Sequence, residues 1–258
     1  MQWITIYKKE WLEMLRNYKW IWVPLVFVLF CIIDPLTTYY LPVIIEATGG
    51  LPEGAVFDMP TPPPSEVFMM SIAQLNTLGV LVLALMTMGT ISGEKKSGVA
   101  ELILVKPVSY FSYLTAKWAA ASTLLILSAA IGLTASWYYV QLLFGDVSFS
   151  AAVGVIFFYS LWIAFLTSIS LFMNAWSRLP GLVLFFTLAS LMIMSLVTSL
   201  FSNDLAWSPA RLSSYLRSLL ITGEVPVDLW YTSLVTAALT ILLLYAGTKR
   251  LKKSSRLS

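Results

Sequence analysis

The sequence predicts an all-α polytopic membrane protein, with six transmembrane helices behind an N-terminal amphipathic interfacial helix and both termini cytoplasmic. Three observations predict it. Of 258 residues, 59% are hydrophobic and 11% are charged, where a soluble domain carries about 25% charged residues to cover its surface. Six stretches are long and apolar enough to cross a hydrocarbon core, which takes roughly 20 residues of helix. With the N-terminus inside, fourteen of the sixteen basic residues fall on the inner side and only Arg211 and Arg217 outside, an asymmetry that sets orientation.

The elements follow in order. Residues 1–19 form the interfacial helix. Ile4, Tyr7, Trp11, Met14 and Leu15 share one face, while Lys8, Lys9, Glu13, Arg16 and Asn17 lie on or near the other. That suits a helix lying along the inner leaflet, either as a plain anchor or as a contact surface for a cytosolic partner. The first span covers residues 20–45 and is interrupted at Asp34-Pro35, where an aspartate cap ahead of a first-turn proline predicts a break and restart. A charged prefix and the lack of a small-residue cleavage site make this span an uncleaved anchor.

Residues 46–66 read as an irregular outer loop, acidic and rich in Gly and Pro, with a polyproline-like stretch at 62–64. The remaining spans cover residues 67–92, 118–144, 151–173, 180–202 and 229–248. Between the fifth and sixth, Ser208 caps a helix that starts with Pro209. Leu212, Tyr215, Leu216, Leu219 and Leu220 line its apolar face, so it lies on the outer leaflet or is partly re-entrant. No internal similarity relates residues 20–145 to 147–250, and the chain reads as one transmembrane domain.

The residue inventory excludes several function classes. There is no histidine, which removes the usual zinc ligand and general base. Cys31 is the only cysteine, so it forms no internal disulfide. The spans hold no nucleophile–base pair, no metal-ligand cluster and no paired carboxylates. Hence the expectation is no catalytic residue, no metal, no bound cofactor and no nucleic-acid partner. Asp34 lies about 21 Å along the helix from Trp20 at ~1.5 Å per residue, in the outer half, where a helix break is the better reading than a proton site. Gln74 and Asn76 suit helix–helix hydrogen bonding or contact with a substrate.

One stretch stands apart: "GTISGEKKSGVAELILVKPVSYFSYLTAKW", residues 89–118. Ser97 predicts a cap for a short helix over 98–106, stopped by Pro107. Val99, Leu102 and Ile103 make its apolar face. The positive-inside rule accounts for the lysines but not for Glu94 and Glu101. The run from Gly93 to Gly98 has the spacing of a phosphate-binding loop, but Val99 follows where lysine is needed. The chain by itself is therefore not expected to hydrolyse ATP.

This stretch resembles the loop after the second span of ABC-2 type permeases. The matching positions are Glu94, Gly98, Glu101, the run 102–105, Pro107-Val108-Ser109 and the downstream Lys117, with Val99 departing from the usual small or hydroxyl residue. The N-terminal "YKKEWLEMLRNYKW" is similar to the family's amphipathic opening. The resemblance implies the membrane subunit of a bacterial ABC exporter, multi-pass in the plasma (inner) membrane and surrounded by membrane lipid. A separate ABC ATPase subunit, carrying ATP and Mg, would dock on residues 94–107. Coupling would run through Glu94, Gly98, Val99, Glu101, Leu102, Ile103 and Pro107. A second permease copy or a paralogue would complete a homo- or heterodimer.

The resemblance also places a pathway along spans one, two and five, with Gln74, Asn76, Phe185, Phe186, Met192 and Met194 as candidate lining. No charged residue is among them, and Met and Phe adapt to varied apolar cargo. The implied cargo is lipophilic or amphipathic: a drug, an antimicrobial peptide or a lipid-like compound moved outward. The alternative is a non-transporting membrane scaffold or immunity protein; a membrane-embedded enzyme lacks the residues it would need.

Overall fold

The computed structural model describes residues 2–47, 61–99 and 108–254, and its elements are all helical. Six helices are long and apolar enough to cross a membrane: Lys19–Ile45, Pro64–Lys96, Tyr110–Leu143, Phe149–Trp176, Pro180–Leu200 and Val227–Lys253. In chain order the helices are α1 (Gln2–Arg16), α2 (Lys19–Ala47), α3 (Pro64–Gln74), α4 (Val80–Thr87) and α5 (Ser92–Lys96). They continue with α6 (Tyr110–Leu143), α7 (Phe149–Trp176), α8 (Pro180–Leu200), α9 (Leu212–Thr222) and α10 (Val227–Ser254). The second span is therefore built in pieces, with a π-helical turn at Leu75–Gly79 between α3 and α4.

The interfacial helix is docked on protein. Trp3 Nε1 donates to Thr115 Oγ1 at 3.1 Å and the Tyr7 hydroxyl donates to Thr123 Oγ1 at 3.3 Å, both partners on α6. Ile4 and Leu15 stay exposed, so the apolar face predicted from spacing is divided between protein and surroundings. Tyr18 turns the chain into α2 with φ 53°, a left-handed conformation that costs a non-glycine residue of order 1 kcal/mol. The Trp11 and Trp20 rings meet across that turn at 4.1 Å.

The first span does not break at Asp34-Pro35, contrary to the sequence expectation. Helix α2 runs on with Pro24, Pro35 and Pro42 inside it. Proline lacks the N–H that would serve the carbonyl four residues back, which for Pro35 is that of Cys31. Ser71 Oγ on α3 donates to this carbonyl at 2.8 Å and pairs with Ser136 Oγ on α6 at 2.7 Å. A neighbouring span thus satisfies the freed group and the helix continues. Gly132 permits the approach, since a Cβ there would stand 2.9 Å from the Phe27 carbonyl oxygen and 3.0 Å from Cys31 Sγ.

Two helices begin earlier than hydropathy suggested. Pro63 is extended (φ −63°, ψ 148°) and Pro64 opens α3, where a missing N–H is harmless. The third span starts at Tyr110, capped by Ser109, whose hydroxyl accepts the Ser112 backbone N–H at 3.0 Å. Lys117, read as a loop charge, consequently lies inside α6.

The outer helix also departs in detail. Ser208 does not cap it with its side chain; its hydroxyl pairs with Thr198 Oγ1 at 2.7 Å. Leu212, Leu216, Leu219 and Leu220 are buried, and Leu219 reaches the space above Gly154 on α7. Eleven residues of helix rise about 16 Å, too short to cross. The main core lies among the spans. A second cluster of Ile91, Tyr113, Leu114, Leu171, Ala175, Leu244 and Leu251 gathers at the end where α5 sits.

Candidate functional site: an ion cluster beneath the charged segment

The charged segment begins on α5, a short helix separated from α4 by a turn over 88–91. Asn174 on α7 splints that turn. Its Oδ1 accepts the backbone N–H groups of Ile91 (3.2 Å) and Ser92 (3.0 Å), and its Nδ2 donates to the carbonyls of Thr87 and Ser170, each at 3.0 Å. The side chain is fully buried and fully satisfied, so the position of α5 is set by one amide. Lys95 adds a second tie, donating to the carbonyls of Asn174 (3.1 Å) and Ala175 (2.7 Å).

On the other side of α5 lies the cluster. Lys117 Nζ donates to Glu10 Oε1 at 2.6 Å and to the Thr90 carbonyl at 3.0 Å, and stands 2.9 Å from Glu94 Oε1. Lys9 Nζ lies 2.6 Å from the same Glu94 oxygen and 3.0 Å from both Glu10 and Glu13. The Tyr113 hydroxyl donates to Glu94 Oε2. The Lys117 side chain is 1% exposed and those of Glu10 and Glu94 are 9% and 13% exposed. Burial pulls Lys9 toward losing its proton, but the carboxylates of Glu94 and Glu10 outweigh it and hold its pKa above the ordinary lysine value.

Buried charges are tolerated only when paired, and this network meets the condition. Carboxylate oxygens of Glu10, Glu13 and Glu94 come within 4.8 Å of one another, a grouping that could also hold a cation; here Lys9 bridges all three. Lys19 joins at the edge through the Met86 carbonyl (3.3 Å) and, with Glu10, Glu13 and Lys117, lines a cavity of about 220 Å³. The arrangement ties the interfacial helix, the end of the second span and the third span into one unit.

The coupling residues expected from sequence divide accordingly. Glu94 faces inward to this network. Gly98 takes φ +77° and stops α5. Ser97 donates to the Glu94 carbonyl at 3.2 Å at the end of α5, and the helix expected over 98–106 lies, beyond Val99, outside the described residues. Val99 is exposed. Glu101, Leu102, Ile103 and Pro107 lie outside the described residues.

Of the candidate pathway residues, Asn76, Met192 and Met194 come together around a second cavity of about 370 Å³, with Thr77, Trp162, Leu191, Ser195 and Ser213 among its lining. The π-helical turn carries Asn76 there; such turns recur at functional sites, and the Tyr159 hydroxyl donates to Asn76 Oδ1 at 3.2 Å. Phe185 and Phe186 are exposed on α8 and Gln74 is half-buried; none of these three lines the cavity.

Sequence reasoning did not single out Glu10, Tyr113 or Asn174, placed Lys9 only on the polar face of the interfacial helix, and took Lys117 only as a loop charge within a motif. A signal existed for Glu10: it stands between Tyr7 and Met14 on the apolar stripe, where an unpaired acid would be costly. Asn174 carried no signal, because one asparagine near a span end is ordinary.

No family model matches the sequence. The uncharacterized transmembrane protein YxlG of Bacillus subtilis (strain 168) is 34% identical over 241 residues, an alignment that spans 93% of each chain.

Proposed function

The chain belongs to the family of the transmembrane protein YxlG of Bacillus subtilis, and from that premise we propose that it is the permease subunit of an ATP-binding cassette exporter in a bacterial plasma membrane. A separate ATPase subunit, binding ATP and Mg, docks beneath residues 94–107. Two permease chains complete the pathway, either as identical copies or as a paralogous pair. The observation that carries this reading is the clamp on Glu94. The charged segment starts at a helix locked by Lys117, Lys9 and Tyr113 on one side and by Asn174 on the other. A displacement applied to that segment therefore reaches α1 and the second and third spans together. A segment serving only to satisfy loop charge needs no such anchorage.

In this mechanism Glu94 is a positioning residue, and the exposed Val99 with the segment beyond it meets the ATPase. The cargo is lipophilic or amphipathic. The cavity beside the second and fifth spans supports that: Leu191, Met192 and Met194 give it an adaptable apolar wall, with Asn76, Ser195 and Ser213 as sparse polar points.

The test is a mild-detergent isolation of the tagged chain from its host, with and without crosslinking. A soluble subunit with a phosphate-binding loop is expected to co-purify, and Glu101→Lys to release it. Recovery of membrane partners alone, even after crosslinking, would favour a scaffold and end the exporter reading.

A further inference from the structure

The face of α5 opposite the clamp carries a different arrangement. Six ion pairs among the described residues draw on Glu10, Glu13, Glu66 and Glu94, and none of them includes Lys95, Arg178 or Arg250. Lys95 turns to the end of α7, where it donates to the Asn174 and Ala175 carbonyls and so offsets the negative end of that helix. The Arg250 guanidinium stacks over the Trp176 ring at 4.4 Å, and its Nε is buried without a hydrogen-bond partner among the described residues. Arg178 follows Trp176 by two residues, is exposed, and acts electrostatically on Lys95 together with Arg250. Trp176 itself is exposed.

These groups stand at the ends of the second, fourth and sixth candidate spans, which close at Lys96, Trp176 and Lys253. That is the level of the lipid headgroups, on the side the basic-residue bias makes cytoplasmic. Three features converge there. Two guanidinium forks lack a described carboxylate, and a guanidinium matches two phosphate oxygens where an ammonium cannot. The dipole of α7 is already answered by Lys95, so it does not absorb their charge. An exposed indole marks the boundary between headgroup and acyl chain. Basic corners between spans on this side suit lipid phosphates.

We propose that this corner binds a phosphate-bearing headgroup and that its occupant is an anionic phospholipid of the inner leaflet, with Arg178 and Arg250 on the phosphate oxygens and Trp176 against the glycerol region. The site stands apart from the clamp and does not depend on the exporter reading.

The full chain is placed in nanodiscs of mixed phosphatidylcholine and phosphatidylglycerol, and mass spectrometry of the released intact protein counts the lipids retained. Phosphatidylglycerol is expected to be enriched on the protein relative to the disc. Arg178→Gln with Arg250→Gln should lower that enrichment by about fivefold per arginine, whereas Arg178→Lys with Arg250→Lys, which keeps the charge and loses the two-oxygen fork, should keep only part of it. Should the glutamine pair not fold, the single exposed Arg178→Gln carries the test with its about fivefold loss. The matched change Lys8→Gln with Arg16→Gln, on α1, should leave enrichment as it was; an equal fall there would reduce the effect to overall charge and overturn the site. Displacement of the lipid by millimolar inorganic phosphate would assign the corner to free phosphate and overturn the lipid. Unchanged lipid retention in the glutamine pair, with loss of a co-purifying protein, would make it a protein contact and equally overturn the proposal.

Discussion

Lys117 donates to Glu10 at 2.6 Å across 107 residues of sequence, and in doing so fastens the interfacial helix to the third span. Such a buried pair adds little net stability over a well-packed apolar pair, but removing one partner strands the other. Its use is to fix register: α1 docks on α6 in the one position where Glu10 meets Lys117 and Lys9 meets Glu94.

The splint by Asn174 gives the sharpest local test. Asn174→Leu keeps the volume and removes all four hydrogen bonds, taking the acceptor from the Ile91 and Ser92 N–H groups, while the Thr87 carbonyl keeps the Thr90 N–H at 3.1 Å. A loss of roughly 3 kcal/mol or more is expected, read as a large fall in the thermal midpoint in detergent. A midpoint within experimental error of the parent would show that α5 is held in some other way.

The proline in the first span predicts a coupling. Ser71→Ala should cost about 1–2 kcal/mol, because the Cys31 carbonyl then has no donor. Pro35→Ala restores the helical N–H, so in its presence the cost of Ser71→Ala should shrink. A double-mutant cycle measures the difference, and strictly additive effects would contradict the relay from Ser136 through Ser71 to Cys31.

Glycines separate by what surrounds them. Gly132→Ala pushes a methyl into the Phe27 backbone and Cys31 and should destabilise by about 1–3 kcal/mol. Gly181→Ala, in the first turn of α8 with nothing within 4 Å of the new Cβ, should be neutral or gain up to about 1 kcal/mol. The order of the two midpoints decides the matter; reversal would place the close approach of α2 and α6 elsewhere.

Two tryptophans on the spans should respond differently to phenylalanine. Trp118 Nε1 donates to the Ala164 carbonyl at 3.0 Å, while Trp162 Nε1 is buried without a hydrogen-bond partner among the described residues. Trp118→Phe should cost about 1 kcal/mol more than Trp162→Phe. Equal costs would mean that the Trp162 indole has a partner after all.

Much of the fold was legible because hydrocarbon imposes a coarse rule. Apolar runs of the right length gave six spans, and Leu212, Leu216, Leu219 and Leu220 gave the buried face of α9. What the rule missed came from polar groups satisfied across spans. Lys117 ended a charge-free window, yet two carboxylates let the helix begin at Tyr110. Pro35 looked like a break until Ser71, far away in sequence, supplied the missing donor. The candidate site was half legible: the segment holding Glu94 stood out by its acids, but the partners that turn Glu94 inward are on α1 and α6, and no local pattern names a partner 85 residues away.

Lys117 joins α1 to the end of the second span, and the two are expected to move as one. Hydrogen–deuterium exchange on the full chain in nanodiscs, comparing the parent with Lys117→Met, tests it most directly. Loss of the ammonium leaves Glu10 and Glu94 joined only through the half-exposed Lys9 and unties both from α6 apart from the Tyr113 hydroxyl on Glu94, so exchange should rise together in residues 2–16 and 88–97, while the middle of α7 stays protected as before. A rise in only one of the two segments, or in neither, would contradict the clamp.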